Sequence, residues 1–446
     1  MAPISARRFI SACVLSVAAS AALVAPGAAS AATQCSGSNI VGAGASFQKL
    51  AQETWGPAFN TSKNPKACSG TQGSKGIPTH GYESVGSGAG LERWGYKGHA
   101  FEAGGTAIVS TDEAPNPAIK AEMEANETTL TPETVQSVPI VQGSVAIVMN
   151  LPANCVATST AVPGRLVLNN VTLESIWRGT ITKWSEIKDS GDALSGAGCN
   201  PETTITRVVR LDGSGTTHIL KAYLALINAT SFETEKAETK TWKELDEGPE
   251  NTTWPKLASV VKPVKTGGGA VAAKVAETPS SIGYVALSDA RNNGGFSKTG
   301  GPGTGKFWAE IQNSGTSTKK LTYADPASNG DAEAVANANC EKEKFTNGLG
   351  TKFPPKTTAE DWSQVTTATK QKNYTLCGIT YALVLKGYSK YPGTTEGEAI
   401  TAHDFLLWVL ETKAEGGQPT INNHDYLPLP KSLVKEATAG AALAAF

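Results

Sequence analysis

The chain has no excess of charge of either sign. Its 446 residues carry 39 Lys and Arg against 40 Asp and Glu, which leaves a formal net charge of −1 at pH 7. A partner such as nucleic acid or an anionic membrane normally requires a broad basic surface. We therefore expect no nucleic-acid partner, and any attraction for an anion must come from local dipoles and a few side chains in a cleft.

Motifs of hydrolases and metal sites are also missing. No Gly-x-Ser-x-Gly turn occurs, so a serine hydrolase would lack its usual nucleophile turn. No Cys-x-x-Cys occurs and the five histidines are scattered, which disfavours a zinc site. Residues 300–306 have the glycine and lysine spacing of a P-loop, but Phe307 stands where Ser or Thr must bind magnesium. We expect no catalytic residue, no metal and no cofactor.

The chain starts with a short apolar run rather than a membrane-spanning one. Arg7 and Arg8 precede the apolar residues 9–24, and the small residues 28–32 follow. A basic start, a short apolar core and a small-residue end are typical of a secretory signal peptide. The apolar core is too short for a membrane span. We predict a signal peptide over 1–32 and a soluble exported protein, periplasmic or extracellular.

The cysteine count agrees with export. Cleavage would remove Cys13, and neither Cys13 nor Cys35 lies in a convincing lipoprotein cleavage sequence. The six cysteines that remain suit an oxidising compartment, and they allow about fifteen pairings. Three pairings would each close one local loop: Cys35 with Cys68, Cys155 with Cys199, and Cys340 with Cys377.

One pattern occurs three times: a strand, a loop of small residues, and a helix. The β-branched residues 204–209 precede the loop 210–217, and apolar residues follow at helical spacing. Residues 40–46 lead into a helical stripe with Ser46 at a plausible N-cap, and residues 82–85 lead into the glycine-rich loop 86–90. Three helix N-termini could therefore converge on one ligand.

The loop 210–217 has the chemistry of an anion site. The first N–H groups of a helix have no partner within it, and the helix dipole places roughly +0.5 charge there. Gly213 and Gly215 allow close backbone approach, while Ser214 and the threonines that follow add hydroxyl donors. Arg210 offers a planar fork that suits oxyanions.

These segments resemble the phosphate-binding proteins of ABC-type phosphate transporters. The resemblance is carried, in order, by GAGASFQKLAQETW, YESVGSGAGLERW, TDEAPN, VPIVQGSVAIVMNLP, ESIWRGTITKWSEI, VVRLDGSGTTHILKAYL and SSIGYVAL. It continues through residues 377–385, 402–410 and 426–430, and so spans most of the mature chain. The chain departs from the family by insertions near 60–80, 229–262 and 299–372.

The alternation of strands and amphipathic helices from 39 to about 290 predicts an α/β fold with mostly parallel sheets flanked by helices. The resemblance implies the two-lobed periplasmic-binding-protein-like arrangement joined by crossing strands. Lobe 1 would hold 36–138 and 289–446, and lobe 2 would hold 139–288. We expect the crossings at 138–141 and 282–286, and a long surface loop over 291–320 because that stretch is rich in small polar residues.

The resemblance also implies a set of phosphate-binding residues. The set is Ser46, Phe47, Ser87, Asp112, Arg210, Ser214, Gly215 and Thr216. We expect Asp212 to pair with Arg210 and hold its fork, or alternatively only to cap the helix. His218 lies one turn into the helix, where a histidine more often packs or faces solvent than touches a ligand, and we leave it out.

Asp112 is the unexpected member, because a carboxylate should repel an anion. Phosphate near neutral pH still carries a proton, and a carboxylate can accept a hydrogen bond from it. Sulfate carries none, so it would face Asp112 as a like charge without a donor. Asp112 would therefore select phosphate over sulfate.

The function implied by the resemblance is capture of inorganic phosphate and its delivery to the permease subunits of an ABC transporter, by a protein expected to be a monomer. Two alternatives stay open. A secreted phosphatase could use the same oxyanion cage, although no activated nucleophile is evident. A surface module could sense phosphate or another oxyanion without feeding transport.

Overall fold

The computed structural model describes most of the chain beyond residue 36. The described residues are 37–62, 81–102, 104–126, 134–157, 166–187, 194–200, 202–246, 248, 251–256, 260–261, 267–299, 305–317, 319–328, 336–342, 344–347, 353–391 and 393–446. The predicted signal peptide, Cys35 and Cys68 lie outside them. Within these ranges, no helix combines the length and the apolar composition needed to cross a membrane.

The strands are short except for two, and they are numbered here in chain order. They are β1 (Gly42–Gly44), β2 (Tyr82–Ser84), β3 (Ile108–Thr111), β4 (Val135–Asn150), β5 (Val156–Ala157), β6 (Val167–Leu168), β7 (Leu194–Ser195), β8 (Thr206–Val208), β9 (Phe232–Glu233), β10 (Thr239–Lys240), β11 (Val260–Val261), β12 (Ser281–Ala286), β13 (Lys306–Trp308), β14 (Glu310–Gln312), β15 (Tyr323–Ala324), β16 (Phe345–Asn347), β17 (Val365–Thr367), β18 (Cys377–Leu385) and β19 (Tyr426–Leu427).

The helices are numbered in the same way, and short 3-10 turns such as Ser46–Gln48 are left without labels. They are α1 (Lys49–Thr61), α2 (Ser87–Glu92), α3 (Pro117–Asn126), α4 (Asn170–Arg178), α5 (Gly215–Ile227), α6 (Trp242–Leu245), α7 (Gly268–Glu277), α8 (Leu287–Asp289), α9 (Glu396–Leu410), α10 (Gly417–Thr420) and α11 (Lys431–Ala441).

The central sheet is built around β4, whose sixteen residues are all buried. Its first part pairs antiparallel with β18 and its last part with β12. The strand order across the sheet is β11-β8-β12-β4-β18-β3-β1-β2. A strand buried on both faces is rich in apolar residues, and β4 contains two apolar runs, 138–141 and 145–149, separated by Gln142, Gly143 and Ser144. By serving both sides, β4 joins two halves of the sheet.

The two halves have the same internal pattern. In the first half β1 pairs in parallel with β2 and with β3, and in the second half β8 pairs in parallel with β11 and with β12. Helices flank each half, with α2 against β1 and α7 against β12. The predicted α/β fold with two lobes is confirmed. Parallel pairing holds for these outer strands, whereas the strands that border β4 pair with it antiparallel.

Residues 306–324 run beside the second half of the sheet. β13 pairs with the last residues of β4, and β14 pairs in parallel with β6. The chain returns to the first half through β18, which pairs with β3. The lobe boundaries expected from the sequence, 36–138 with 289–446 for lobe 1 and 139–288 for lobe 2, stay a prediction.

The surface loop expected over 291–320 is wrong for the part of that stretch that the structure describes. A π-helical turn covers Ala290–Gly294, and β13 and β14 follow. Phe296, Trp308 and Ile311 are buried there and anchor the segment to the core. Burial of these three apolar side chains stabilises the segment against the core, although most residues around them are small and polar.

Two of the three expected disulfides are present. Cys155 pairs with Cys199 at a Cα–Cα distance of 4.9 Å, and Cys340 pairs with Cys377 at 6.0 Å. Both distances lie in the usual range for disulfides. The first ties β5 to the segment after β7, and the second fixes the start of β18. The expected pair of Cys35 and Cys68 lies outside the described residues.

Candidate functional site

The predicted site residues lie where the carboxyl ends of the outer strands of both halves meet. Ser46 follows β1, Ser87 follows β2 and Asp112 follows β3, whereas Arg210 follows β8. In each half the parallel strands end at the same edge, so the residues that follow them lie close together. The edge of the first half and the edge of the second half face each other across β4. We call this junction the cleft.

Helix α5 is fixed at the cleft by its N-cap. Ser214 has extended backbone angles, and its hydroxyl accepts a hydrogen bond from the Thr217 amide at 3.2 Å. The buried side chain of Asn251 accepts from the Ser214 amide at 3.1 Å and donates to its carbonyl at 2.7 Å. These bonds set the direction of the first amides of α5, while the Ser214 hydroxyl can still donate its own hydrogen.

Gly215 is a point of close approach between the two halves. Its amide donates to Ser87 Oγ at 3.2 Å, and the Asp112 amide donates to the same oxygen at 3.2 Å. A Cβ on Gly215 would lie 2.4 Å from the Asp112 Cβ, so only glycine fits. Nearby, the Gly88 amide donates to the Gly213 carbonyl at 3.1 Å. Gly88 and Gly90 lie within α2 rather than in the loop expected over 86–90, and a Cβ on Gly90 would lie 2.7 Å from Gly44 Cα.

Arg210 is buried and held by Asp212. Its Nε donates to Asp212 Oδ1 at 2.7 Å, and its Nη2 donates to Asp212 Oδ2. Burial lowers the pKa of Arg210, but the Asp212 carboxylate outweighs that effect and the net pKa is raised. The remaining nitrogen, Nη1, donates to Ser46 Oγ at 3.2 Å and so points to the opposite wall of the cleft.

Ser46 does not cap a helix, although the sequence made it a plausible N-cap. It begins the 3-10 turn Ser46–Gln48, which leads into α1. Its hydroxyl accepts from Arg210 and also from the Gly268 amide at 3.0 Å, at the start of α7. Next to it, the ring of Phe47 packs edge-on against Tyr426, and its carbonyl accepts from the Tyr426 hydroxyl. The hydroxyl of Ser46 therefore faces the cleft.

The carboxyl of Asp112 is buried beside the start of α5. It accepts a hydrogen bond from the Thr380 hydroxyl at 2.8 Å, and the side chain of Thr216 also bonds to it. Burial raises the pKa of Asp112 to about 7, an effect that the Thr380 bond and the charge of Arg210 partly oppose. Asp112 therefore changes its protonation state near neutral pH.

The structure thus brings the predicted residues from both halves together. Ser46, Ser87 and Asp112 come from the first half, whereas Arg210, Ser214, Gly215 and Thr216 come from the second. Phe47 lies at the edge of the group with its ring in the core. We call these residues the donor cluster.

Several residues of this region were missed from the sequence. They are Thr380, which holds Asp112; Gly268, which brings a fourth helix N-terminus; Asn251, which holds Ser214; and Tyr284, whose hydroxyl accepts from the Arg210 amide at 3.2 Å. The glycine run at 267–269 before an apolar helix was a usable signal for α7. Thr380 and Asn251 gave no such signal, because each is one polar residue inside an ordinary segment.

Aromatic packing supports the second wall of the cleft. The ring of Tyr284 lies 5.3 Å from that of Trp177 and 5.7 Å from that of Trp254, measured between centroids. Its hydroxyl bonds to Thr217 Oγ1 at 2.7 Å. Large buried rings hold this hydroxyl in place, so the backbone of Arg210 and the first turn of α5 share one rigid support.

A second buried carboxyl, that of Asp289, lies beside the start of α7. A Cβ on Gly268 would lie 2.2 Å from its Oδ2, and Oδ2 has no hydrogen-bond partner among the described residues. Burial raises the pKa of Asp289 to about 7, against the opposing charges of Arg210 and Lys49. Burial therefore raises the pKa values of both Asp112 and Asp289 toward neutrality.

The cluster combines the kinds of group that an oxyanion site needs with one acceptor. Backbone amides, hydroxyls and one guanidinium supply donors to an anion, and a helix N-terminus adds favourable potential. Asp112 adds a carboxyl that can accept a proton-bearing oxygen. The Ser87 hydroxyl receives two backbone amides rather than a base.

Comparison with known proteins agrees with the α/β fold described above. The profile of the PBP superfamily domain matches residues 28–413, and the chain belongs to this family. Among curated proteins it is 25% identical over 401 residues to the phosphate-binding protein PstS of Xylella fastidiosa, which covers 90% of this chain and 84% of that protein. It is 26% identical over 403 residues to the phosphate-binding protein PstS of Pasteurella multocida, covering 90% and 89%. These relatives are named as binding proteins.

Solved structures show the same fold. A high-affinity periplasmic phosphate-binding protein (PfluDING), solved bound with phosphate, superposes with a TM-score of 0.55 at 18% identity, covering 90% of this chain and 93% of that one. A phosphate-binding protein from Stenotrophomonas maltophilia superposes with a TM-score of 0.55 at 15% identity and the same coverage.

Proposed function

We propose that the donor cluster binds one inorganic phosphate ion between the two lobes, and that the protein delivers this ion to an ABC-type phosphate transporter. The observation that carries the proposal is the meeting of Arg210, Ser46 and the start of α5 at one point, with Asp112 beside them. The resemblance to the family and the names of the relatives point to the same ligand.

Each part of the cluster has a role toward phosphate in this proposal. Arg210, oriented by Asp212, neutralises part of the ligand charge. The hydroxyls of Ser46, Ser87, Ser214 and Thr216 and the amides of Phe47 and Gly215 supply directed hydrogen bonds. Asp112 accepts the proton that phosphate carries. Binding closes the cleft, because the ligand contacts both lobes at once.

Transport is the biological role that best fits the proposal. A binding protein with two lobes releases its ligand when the lobes separate, and a membrane permease is a suitable receiver. Export through the predicted signal peptide would place the protein on the side of the membrane where phosphate is captured. We expect a monomer with no enzymatic activity.

The phosphatase alternative requires an activated nucleophile. Ser214 caps α5, Ser87 accepts two amides, and Ser46 accepts from Arg210 and Gly268. None of these contacts would remove a proton from a hydroxyl. The sensory alternative differs in partner rather than in site, so binding studies alone would not separate it from transport.

Titration calorimetry tests the binding proposal. Phosphate-free protein should bind one phosphate per chain, bind sulfate much more weakly, and release no phosphate from a phosphomonoester. Sustained phosphomonoester hydrolysis by clean protein would favour the phosphatase instead. A failure to bind phosphate would remove the proposed function altogether. Vesicles containing the permease and ATPase subunits would then test transport, since uptake should depend on this protein.

A further inference from the structure

His218 is the fourth residue of α5, and its ring lies beside two carboxyl groups. Its Nδ1 lies 3.0 Å from Asp246 Oδ1, just after α6, and 3.9 Å from Glu113 Oε1. All three side chains are largely buried. His218 and Asp246 belong to the second half of the fold, whereas Glu113 follows β3 in the first half. One histidine thus bridges carboxyl groups from both walls of the cleft.

The contact of Glu113 with His218 requires the cleft to be closed. Glu113 is the residue next to Asp112, and its Oε2 is buried without a hydrogen-bond partner among the described residues. Opening of the cleft would separate it from His218, while His218 would keep Asp246. A buried carboxyl that lacks one partner is costly when ionised and much less so when protonated.

The surroundings of this group are mixed in charge and reachable by solvent. Asp112 lies near enough to affect both His218 and Glu113, and Lys221 affects Glu113. Lys221 Nζ donates to the carbonyls of Leu245 and Thr253. A cavity of about 390 Å³ is lined by Glu113, His218, Asp246 and Lys243, so protons can reach the group without passing the donor cluster.

We propose that Glu113, His218 and Asp246 form a proton-linked latch, which takes up protons as the cleft closes and therefore weakens phosphate binding as pH rises. The proposal rests on the proposed function, because closure is observed through phosphate affinity. His218 and Glu113 are positioning residues in it, since neither belongs to the donor cluster.

The direction of the pH dependence follows mainly from Glu113. Burial raises the pKa of Glu113 from 4.5 to about 8, with His218 and Lys221 opposing and Asp246 and Asp112 adding to the rise. Burial lowers the pKa of His218, but Asp246 and Glu113 together outweigh it and raise the pKa to about 9. Opening exposes Glu113 and returns its pKa toward 4.5, whereas His218 keeps Asp246, so the closed form holds more protons than the open form, chiefly on Glu113. Closure is favoured at lower pH and is lost as pH rises through about 8.

Phosphate affinity between pH 6.5 and 9 tests the latch in wild type, Glu113→Gln and His218→Asn. The matched control is His403→Asn, which removes a histidine whose Nδ1 also lies 3.0 Å from a carboxylate, that of Asp404, but on α9. Glu113→Gln mimics the protonated group, so its loss of affinity over this range should be smaller than that of wild type by at least about tenfold. His218→Asn removes a charge that lowers the pKa of Glu113, so its loss of affinity should begin at higher pH than that of wild type, and the control should match wild type.

Equal pH profiles in wild type and Glu113→Gln would overturn the latch while leaving phosphate binding intact. A uniform loss of affinity at every pH would show a structural role only, and would also overturn it. The ionisation of phosphate itself is common to all variants and cancels in the comparison.

The ring resonances of His218 provide a second test, which reads the latch directly. In the phosphate-bound wild type, where the cleft is closed, NMR titration should give His218 a pKa well above its ordinary value of 6.5, and both Glu113→Gln and Asp246→Asn should lower it. The Asp246 change should have the larger effect, because its oxygen lies closer. Titration of His218 near 6.5 in the phosphate-bound wild type would overturn the latch.

Discussion

Arg210 makes two hydrogen bonds to the carboxylate of Asp212, and this pairing leaves Nη1 directed at Ser46 on the other wall of the cleft. The two residues are separated by only Leu211 in the sequence. Asp212 also lies within 3.5 Å of the Gly267 amide, at the cap of α7. One carboxylate therefore fixes both the fork of Arg210 and its relation to a second helix N-terminus.

Replacing Arg210 by lysine should weaken phosphate binding. Lysine keeps the charge but cannot bond Asp212 and the ligand through one planar fork. We expect a loss of at least about tenfold in affinity, because one charge-assisted hydrogen bond contributes roughly 1.5–3 kcal/mol. Calorimetry measures the phosphate affinity of each variant. Arg178→Lys is the control, because Arg178 also pairs with a carboxylate, that of Glu174 at 2.7 Å, but lies outside the donor cluster. An unchanged affinity in Arg210→Lys would place Arg210 outside the binding site.

Adding one methyl group at Gly215 should damage the site. Its Cβ would lie 2.4 Å from the Asp112 Cβ and 2.7 Å from Ser87 Oγ, so the two halves would have to move apart. We expect Gly215→Ala to lower phosphate affinity by about a hundredfold and stability by roughly 1–3 kcal/mol, as overpacking does. Gly105→Ala is the control, because Gly105 is exposed and its Cβ would meet nothing closer than 3.8 Å. Equal affinity in both variants would contradict the close approach.

Asp112→Asn should reduce the preference for phosphate over sulfate. The asparagine carbonyl still accepts from a phosphate hydroxyl, but the repulsion of a fully ionised anion is gone. Relief of a few kcal/mol corresponds to a fall of roughly two orders of magnitude in the affinity ratio. Burial raises the pKa of Asp112 to about 7, so the wild-type ratio should also increase as pH rises through neutrality. The ratio in the variant should change much less with pH, and an equal pH profile would assign selectivity to other residues.

Asp289 should make the protein less stable as pH rises. Burial raises the pKa of Asp289 from 3.8 to about 7, so the folded chain binds more protons than the unfolded chain between these values. Stability attributable to this carboxyl is therefore greatest at low pH and falls by up to about 4 kcal/mol by pH 8. Urea unfolding of wild type and Asp289→Asn at pH 5 and pH 8 measures the difference. The variant should gain stability relative to wild type at pH 8, and a constant difference at both values would show that Asp289 does not titrate in this range.

Local units of this protein could be predicted well from its sequence. The strands before Ser46, Ser87 and Arg210 and the helices after them were found, because β-branched runs, glycine loops and apolar periodicity act over a few residues. The pairs Cys155–Cys199 and Cys340–Cys377 were among those foreseen. The prediction of a loop over 291–320 was wrong, because the few apolar residues of that stretch are buried against residues that are distant in the sequence.

Sequence alone therefore determined which segments carry donors, because a strand, a glycine loop and a helix start are set by neighbouring residues. Tertiary structure decided which atoms meet. Thr380 reaches Asp112 across 268 positions of the chain, and Ser46 reaches Gly268 across 222. Such contacts depend on the register of β18 against β4 and β3 and on the packing of α7, and no local pattern encodes them. The same holds for the contact of Glu113 with His218, in which two ordinary residues share one buried environment only after the two halves of the sheet come together.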